Sequence, residues 1–133
     1  MDISLCALNL KTRTLLWSGA NNPIWIIRKG ANNLEEIKGN KQPVGKFADN
    51  KAFQTHQIQM TEGDTFYIFT DGYQDQFGGA KGKKFKAAQM KELLLSLANE
   101  SMEKQREIIQ QSFEVWKGKL EQVDDMCFIG VRL

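Results

Sequence analysis

Two acidic features of this 133-residue chain carry side chains that could hold a hard cation. The first is Asp71, in the stretch Glu62-Gly63-Asp64-Thr65-Phe66-Tyr67-Ile68-Phe69-Thr70-Asp71-Gly72-Tyr73. There an unbroken apolar run, 66–69, stops at a carboxylate. Such a run suits a strand covered on both faces. A carboxylate at its end is fixed in direction by the strand and open to solvent, as a metal ligand must be. An Asp-Gly pair taken alone is also an ordinary tight turn. The second feature is Asp124-Asp125, which follows Glu121-Gln122-Val123 and precedes the apolar run 126–133. If the two runs are antiparallel neighbours, the end of the first lies beside the start of the second. Asp71 could then meet Asp124 or Asp125 on one cation. Oxygen-only donors of this kind suit Mg2+ or Mn2+ better than zinc.

Other chemistries lack their residues. His56 is the only histidine, so a Ser-His-Asp triad, a histidine-ligated zinc or a histidine base would all have to use it. It sits in a polar, alternating stretch with no nucleophile elbow anywhere in the chain. Phe69 stands where an Asp-x-Asp-Gly phosphotransferase motif would need its first aspartate, which removes phospho-aspartate chemistry. Gln76-Phe77-Gly78-Gly79-Ala80-Lys81-Gly82 lacks the order of a phosphate-binding loop and reads as a mobile flap or a solvated linker. Cys6 and Cys127 lie in apolar runs without C-x-x-C spacing, so buried, reduced thiols and a cytoplasmic setting are expected.

The length implies one domain with a real core, and the composition is that of an ordinary soluble protein. The formal charge of +2 is too small to argue for nucleic acid or an anionic membrane. No apolar segment approaches the roughly 18–20 residues that span a bilayer, and the first residues have no signal-peptide pattern.

The elements that must position the acids read as strands first and helices later. Residues 2–10 form a strand, 11–14 a hairpin turn and 15–17 the return. Ser18-Gly19-Ala20-Asn21-Asn22-Pro23 is a loop, 24–28 a strongly β-prone run, 30–33 a turn and 34–37 a short edge strand. Residues 39–50 form an irregular loop, 53–60 a half-buried strand, and the run before Asp71 the central strand. Then the period changes. Apolar positions recur at helical spacing over 84–98, and a second helix starts at Met102, capped by Ser101 and stopped at Gly118. A final strand follows Asp125. This order predicts an α+β fold with a mainly antiparallel sheet and two consecutive helices before the last strand, not alternating βαβ units.

Four of these stretches carry a resemblance. Asp64-Thr65-Phe66-Tyr67-Ile68-Phe69-Thr70-Asp71-Gly72, with Val123-Asp124-Asp125 before a final apolar strand, resembles the SpoIIE-like branch of the PPM metal-dependent serine/threonine phosphatases. Ser18-Gly19-Ala20-Asn21-Asn22-Pro23 is similar to that branch's Ala-Gly-His-Asn-Pro loop, with Asn21 in place of histidine. Gln42-Pro43-Val44-Gly45 is similar to its Pro-Leu-Gly turn. The four occur in family order from residue 18 to 125. The resemblance implies a PPM-type αββα sandwich with a two-metal Mn2+ or Mg2+ site at one end. It also implies hydrolysis of phosphoserine or phosphothreonine in a regulatory protein by a metal-activated water, with no covalent intermediate. The metal positions it implies are Asp71, with its neighbour Gly72, and Asp124, with Asp125 beside it.

One departure weighs against a complete site. The family's metal-bridging aspartate belongs to an Asp-x-x-Gly-His-Gly segment that this chain lacks; Asp49 and Asp75 have no such neighbours. Residues 1–133 thus look like the C-terminal portion of a SpoIIE-like phosphatase domain, a piece of a longer regulatory protein with half a metal site and no activity alone. The competing reading is a non-catalytic protein-binding module or pseudophosphatase in bacterial signalling. A half-sandwich would also expose sheet edge and apolar face, so a homodimer is expected.

Overall fold

The computed structural model of the chain describes residues 1–45 and 51–133. Part of the expected loop over 39–50, and Asp49 with it, lies outside the described residues. The elements are β1 (Ile3–Asn9), β2 (Thr14–Ala20), β3 (Ile24–Ile27), β4 (Glu35–Ile37), β5 (His56–Gln59), β6 (Thr65–Phe69), α1 (Gly72–Asp75), β7 (Phe77–Gly78), β8 (Lys83–Lys84), α2 (Ala87–Ser96), α3 (Met102–Lys117) and β9 (Phe128–Arg132). This is the expected α+β order, with α2 and α3 before the last strand. No helix among the described residues is long and apolar enough to cross a membrane. The elements form two compact units, Met1–Thr70 with Phe128–Leu133, and Asp71–Cys127.

The first unit holds two antiparallel sheets, ordered β1-β2-β5 and β4-β3-β6-β9. Leu15 and Trp17 of β2 and Ile58 of β5 pack with Ile24 and Ile26 of β3 and Phe66 of β6, so the two sheets share one core. All four residues of β3 are buried, and Thr65, Phe66, Tyr67 and Phe69 of β6 are buried as well. The second face of these strands carries its own aromatic set. Trp25 lies 4.4 Å from Phe69, and Phe128 stacks on Phe69 at 5.6 Å between ring centroids. The continuous apolar run therefore marks a strand buried on both faces, as the sequence implies. The turn before it forms around Gly63 at φ 87°, which glycine adopts without a Cβ penalty.

Asp64, in that turn, is 1% exposed. Its carboxylate accepts hydrogen bonds from the Lys29 amide, the Thr61 amide and the Arg28 guanidinium, each at 2.9 Å. Burial by itself would raise this carboxyl, but the Lys29 amide, Arg28 and Thr61 together hold it below the ordinary aspartate value.

Two strand boundaries differ from expectation. Ser18, Gly19 and Ala20 continue β2 instead of opening a loop, because the ladder with β1 runs on to Ile3–Ala20. Small residues are needed there: a Cβ on Gly19 would stand 2.5 Å from both the Asn22 carbonyl oxygen and the Trp17 ring. The strand expected over 53–60 is only β5, since its ladder with β2 ends at Trp17–His56. One residue further along β2, the Ser18 hydroxyl rather than a backbone amide donates to the Gln54 carbonyl, at 3.0 Å.

The second unit packs α2 and α3 around an aromatic centre. Tyr73 meets Phe85 edge-on at 5.0 Å and Phe113 at 5.1 Å, and Phe85 meets Trp116 edge-on at 5.2 Å. The Tyr73 hydroxyl donates to the Ile109 carbonyl at 3.0 Å, and burial pushes the phenol pKa up. Ser101 caps α3 as expected, its Oγ accepting from the Lys104 amide at 3.2 Å. Gly118 ends the helix at φ 57°.

The glycine-rich stretch forms a hairpin, in which β7 and β8 pair Phe77 with Lys84 and Gly78 with Lys83. Gly78 sits so close to Trp116 that a Cβ would overlap the Trp116 carbonyl oxygen. That same oxygen accepts from the Gly79 amide at 2.9 Å. The hairpin also delays α2 to Ala87, after Lys86 at φ 70°. The thiols differ too. Cys6 is half-buried in β1 and its pKa is raised by burial. Cys127 is exposed, because β9 begins one residue later.

Candidate metal centre

The strands that carry the acids are neighbours. In the first unit β6 and β9 are antiparallel, with Phe69 opposite Phe128. The chain therefore leaves β6 toward Asp71 at the same end of the ladder where it arrives from Asp125. The acids themselves belong to the second unit. Asp71 opens α1 at φ −76° and ψ −9°, and its carbonyl accepts from the Asp75 amide at 2.9 Å. Its carboxylate does not cap that helix.

Gly72 is where the two acidic segments touch. It is buried, and a Cβ at this position would overlap the Asp125 carbonyl oxygen and lie 3.3 Å from the Asp124 carbonyl oxygen. The backbone of Asp71-Gly72 is thus seated against that of Asp124-Asp125. Asp124 is exposed, and its Oδ1 accepts from the Asp125 amide at 2.7 Å, which orients the carboxylate. Its carbonyl accepts from Gln122 Nε2 at 2.8 Å.

Gln76 holds the second segment from the other side. It is 0% exposed. Its Nε2 donates to the Glu121 carbonyl at 2.9 Å and the Phe77 carbonyl at 3.0 Å, and its Oε1 accepts from the Val123 amide at 3.2 Å. In the sequence Gln76 is only the first residue of a glycine-rich stretch. Nothing in the local pattern marks it, because its partners in the acidic segment lie 45 and 47 residues away.

The donors fit a hard cation in kind. Asp71, Asp124 and Asp125 offer carboxylate oxygen, and the contact at Gly72 brings their backbones together. They are short in number: among the described residues no three His, Cys, Asp or Glu side chains gather so that they could hold a metal ion. Asp75 does not add to the set, since it pairs with Lys84 Nζ at 3.1 Å. His56 lies in β5 with its ring 5.5 Å from that of Trp17. Asn21 stands at φ 60° and its side chain donates to Asp2 at 2.8 Å. Gln42 exchanges two hydrogen bonds with the Lys51 backbone, at 2.6 and 3.1 Å. Asn21 and Gln42 are thus placed to shape loops of the first unit.

A model of the stage II sporulation protein E (SpoIIE) family matches residues 1–133. No curated protein sequence matches the chain. Among solved structures, the SiaA-PP2C domain of Pseudomonas aeruginosa superposes with a TM-score of 0.89 at 25% identity, over 99% of this chain and 51% of that one. The SpoIIE phosphatase domain of Bacillus subtilis, from a crystal presoaked with Mn, gives 0.72 at 16% identity, over 100% and 56%. The RsbU and RsbW domains of Rv1364c from Mycobacterium tuberculosis give 0.75 at 13% identity, over 98% and 35%. The chain spans about half the length of the first two and about a third of the last.

Proposed function

Because this chain belongs to the SpoIIE family, we propose that residues 1–133 are the C-terminal portion of a PP2C-type phosphatase domain that hydrolyses phosphoserine or phosphothreonine in a regulatory protein. The observation that carries the proposal is the seat of Gly72 against Asp124 and Asp125, which joins Asp71-Gly72 and Asp124-Asp125 in one unit. Asp71 and Asp124 are the residues that would hold Mn2+ or Mg2+, with Asp125 beside them. When bound, such cations supply Lewis acidity that activates water and neutralises phosphoryl charge.

The chain's own residues do the positioning. The Asp125 amide fixes one oxygen of Asp124. The missing side chain at Gly72 lets Asp71 stand next to that carboxylate's backbone. This chain supplies part of a two-metal site, and a segment of the parent protein supplies the rest; alone it has little or no turnover, and it self-associates in the cytoplasm. The short donor set favours a second reading, a non-catalytic module that binds a regulatory protein.

The test is Mn2+-dependent release of phosphate from a phosphoserine peptide by the full-length protein, with Asp71→Ala and Asp124→Ala. Turnover lost in both variants supports the phosphatase reading. Turnover that survives both would overturn the ligand assignment, and a silent full-length protein would favour the binding module.

A further inference from the structure

The geometry points to Gln76 as the positioning residue that holds Asp124 and Asp125 against Asp71-Gly72. The inference rests on the reading of Asp71 and Asp124 as metal ligands, and extends it to a residue that touches neither. Within the segment 121–125, Gln122 Nε2 donates to the Asp124 carbonyl and the Asp125 amide to the Asp124 carboxylate. The segment's residues are exposed and in no helix or strand. Yet it must stay within van der Waals range of Gly72 for the two carboxylates to act together.

The Gln76 side chain supplies such a constraint. A primary amide has a donor and an acceptor side by side, so it can pair with a strand-like backbone as another strand would. Here Nε2 meets the Glu121 carbonyl and Oε1 meets the Val123 amide. Gln76 itself is 0% exposed, and a buried amide left without partners is costly. The register of the segment is therefore fixed one residue before Asp124.

Gln76 is itself held from several directions. Its carbonyl accepts from Trp116 Nε1 and from the Phe85 amide, both at 3.0 Å. Its Nε2 also donates to the Phe77 carbonyl. It stands five residues after Asp71, directly beyond α1. One side chain thus references the Asp124 segment to the same short stretch that carries Asp71. A ligand pair built on two distant pieces of chain needs such a common anchor, because supporting residues of this kind govern metal affinity by about 10- to 100-fold.

The test uses the 15N-labelled full-length protein and three variants. Gln76→Met keeps the volume and removes both bonds; Gln76→Glu keeps the acceptor for Val123 and removes the donor to Glu121. Tyr73→Phe is the comparator, since it removes a buried hydrogen bond of the same unit without touching 121–125. In metal-free protein, exchange of the Val123 amide is expected to quicken at least about 10-fold in Gln76→Met, with the amides of α3 around Ile109 unchanged. Mn2+ is expected to broaden the amide signals of Asp71, Gly72, Asp124 and Asp125 in the wild-type full-length protein. The Mn2+ concentration for half-broadening should rise about 10-fold or more in Gln76→Met, by less in Gln76→Glu and not in Tyr73→Phe. Equal broadening in wild type and Gln76→Met would overturn this inference alone. So would an equal loss in Tyr73→Phe, which would mark a general effect of stability. No broadening of these signals in the wild-type full-length protein would overturn the metal reading itself, and this inference with it.

Discussion

Replacing Gly72 by alanine separates two physical arguments by the sign of the effect. Gly72 is the first residue of α1, and its φ is not in the left-handed region. On backbone grounds alone alanine should be welcome, with a gain of about 0.5–1 kcal/mol from reduced unfolded-state freedom and better helix propensity. The structure argues the reverse. The new Cβ would overlap the Asp125 carbonyl oxygen and stand 3.0 Å from its carbon. Those atoms are backbone, not the far end of a flexible side chain, so the segment 121–125 must retreat. Forcing an extra carbon into a packed contact costs about 1–3 kcal/mol. The net expectation is a loss of about 1–2 kcal/mol. For a chain of this length 1 kcal/mol corresponds to about 4 °C, so Tm should fall by about 4–8 °C. Thermal unfolding followed by circular dichroism reads this directly. Faster exchange at Val123 would show that the retreat strains the bonds to Gln76. A Tm equal to or above wild type would refute the reasoning, since the segment would then move aside freely and could not be a fixed wall of a metal centre.

Two further outcomes follow from other parts of the fold. Asp64→Ala removes the acceptor of three hydrogen bonds and leaves the partly exposed Arg28 with Glu35 and the Gln59 carbonyl. The loss should be about 3 kcal/mol, read from urea midpoints at neutral pH. Because the folded chain holds this carboxyl below its ordinary value, it binds its proton less readily folded than unfolded. Its stabilisation is therefore full above the unfolded-state pKa of about 3.9 and is lost as pH falls through the folded-state value. The gap between wild type and Asp64→Ala should narrow below about pH 4; a gap independent of pH would show that the charge is not the cause. Ser101→Ala should cost about 1 kcal/mol, since the Lys104 amide loses its cap. No change in the urea midpoint would place the start of α3 elsewhere.

What the sequence made legible follows from the range of the interactions concerned. The unbroken apolar run of β6 and the period-3.6 patterns of α2 and α3 are local, so strand, helices and the Ser101 cap could be read residue by residue. The antiparallel pairing of β6 with β9 needed only the assumption that two apolar runs are neighbours, and it brings the two acidic segments to one end of a ladder. Ser18-Gly19-Ala20 misled because small residues look like loop until the Trp17 ring and the Asn22 carbonyl are seen crowding Gly19. The glycines of 78–82 misled in the same way, since Gly78 is small on account of the Trp116 carbonyl and not for flexibility. Gly72 shows the limit most clearly. Beside Asp71 it invites a turn explanation, yet its φ needs no glycine, and the reason for its size lies more than fifty residues away at Asp125. Gln76 is the polar counterpart, with two of its three side-chain partners far along the chain. A residue chosen for a distant contact leaves no periodic trace. In this chain the ligand candidates are local signals, whereas the residues that would bring them together are long-range ones. Substitutions at Gly72 and Gln76 therefore test the metal centre more sharply than further changes to the aspartates would.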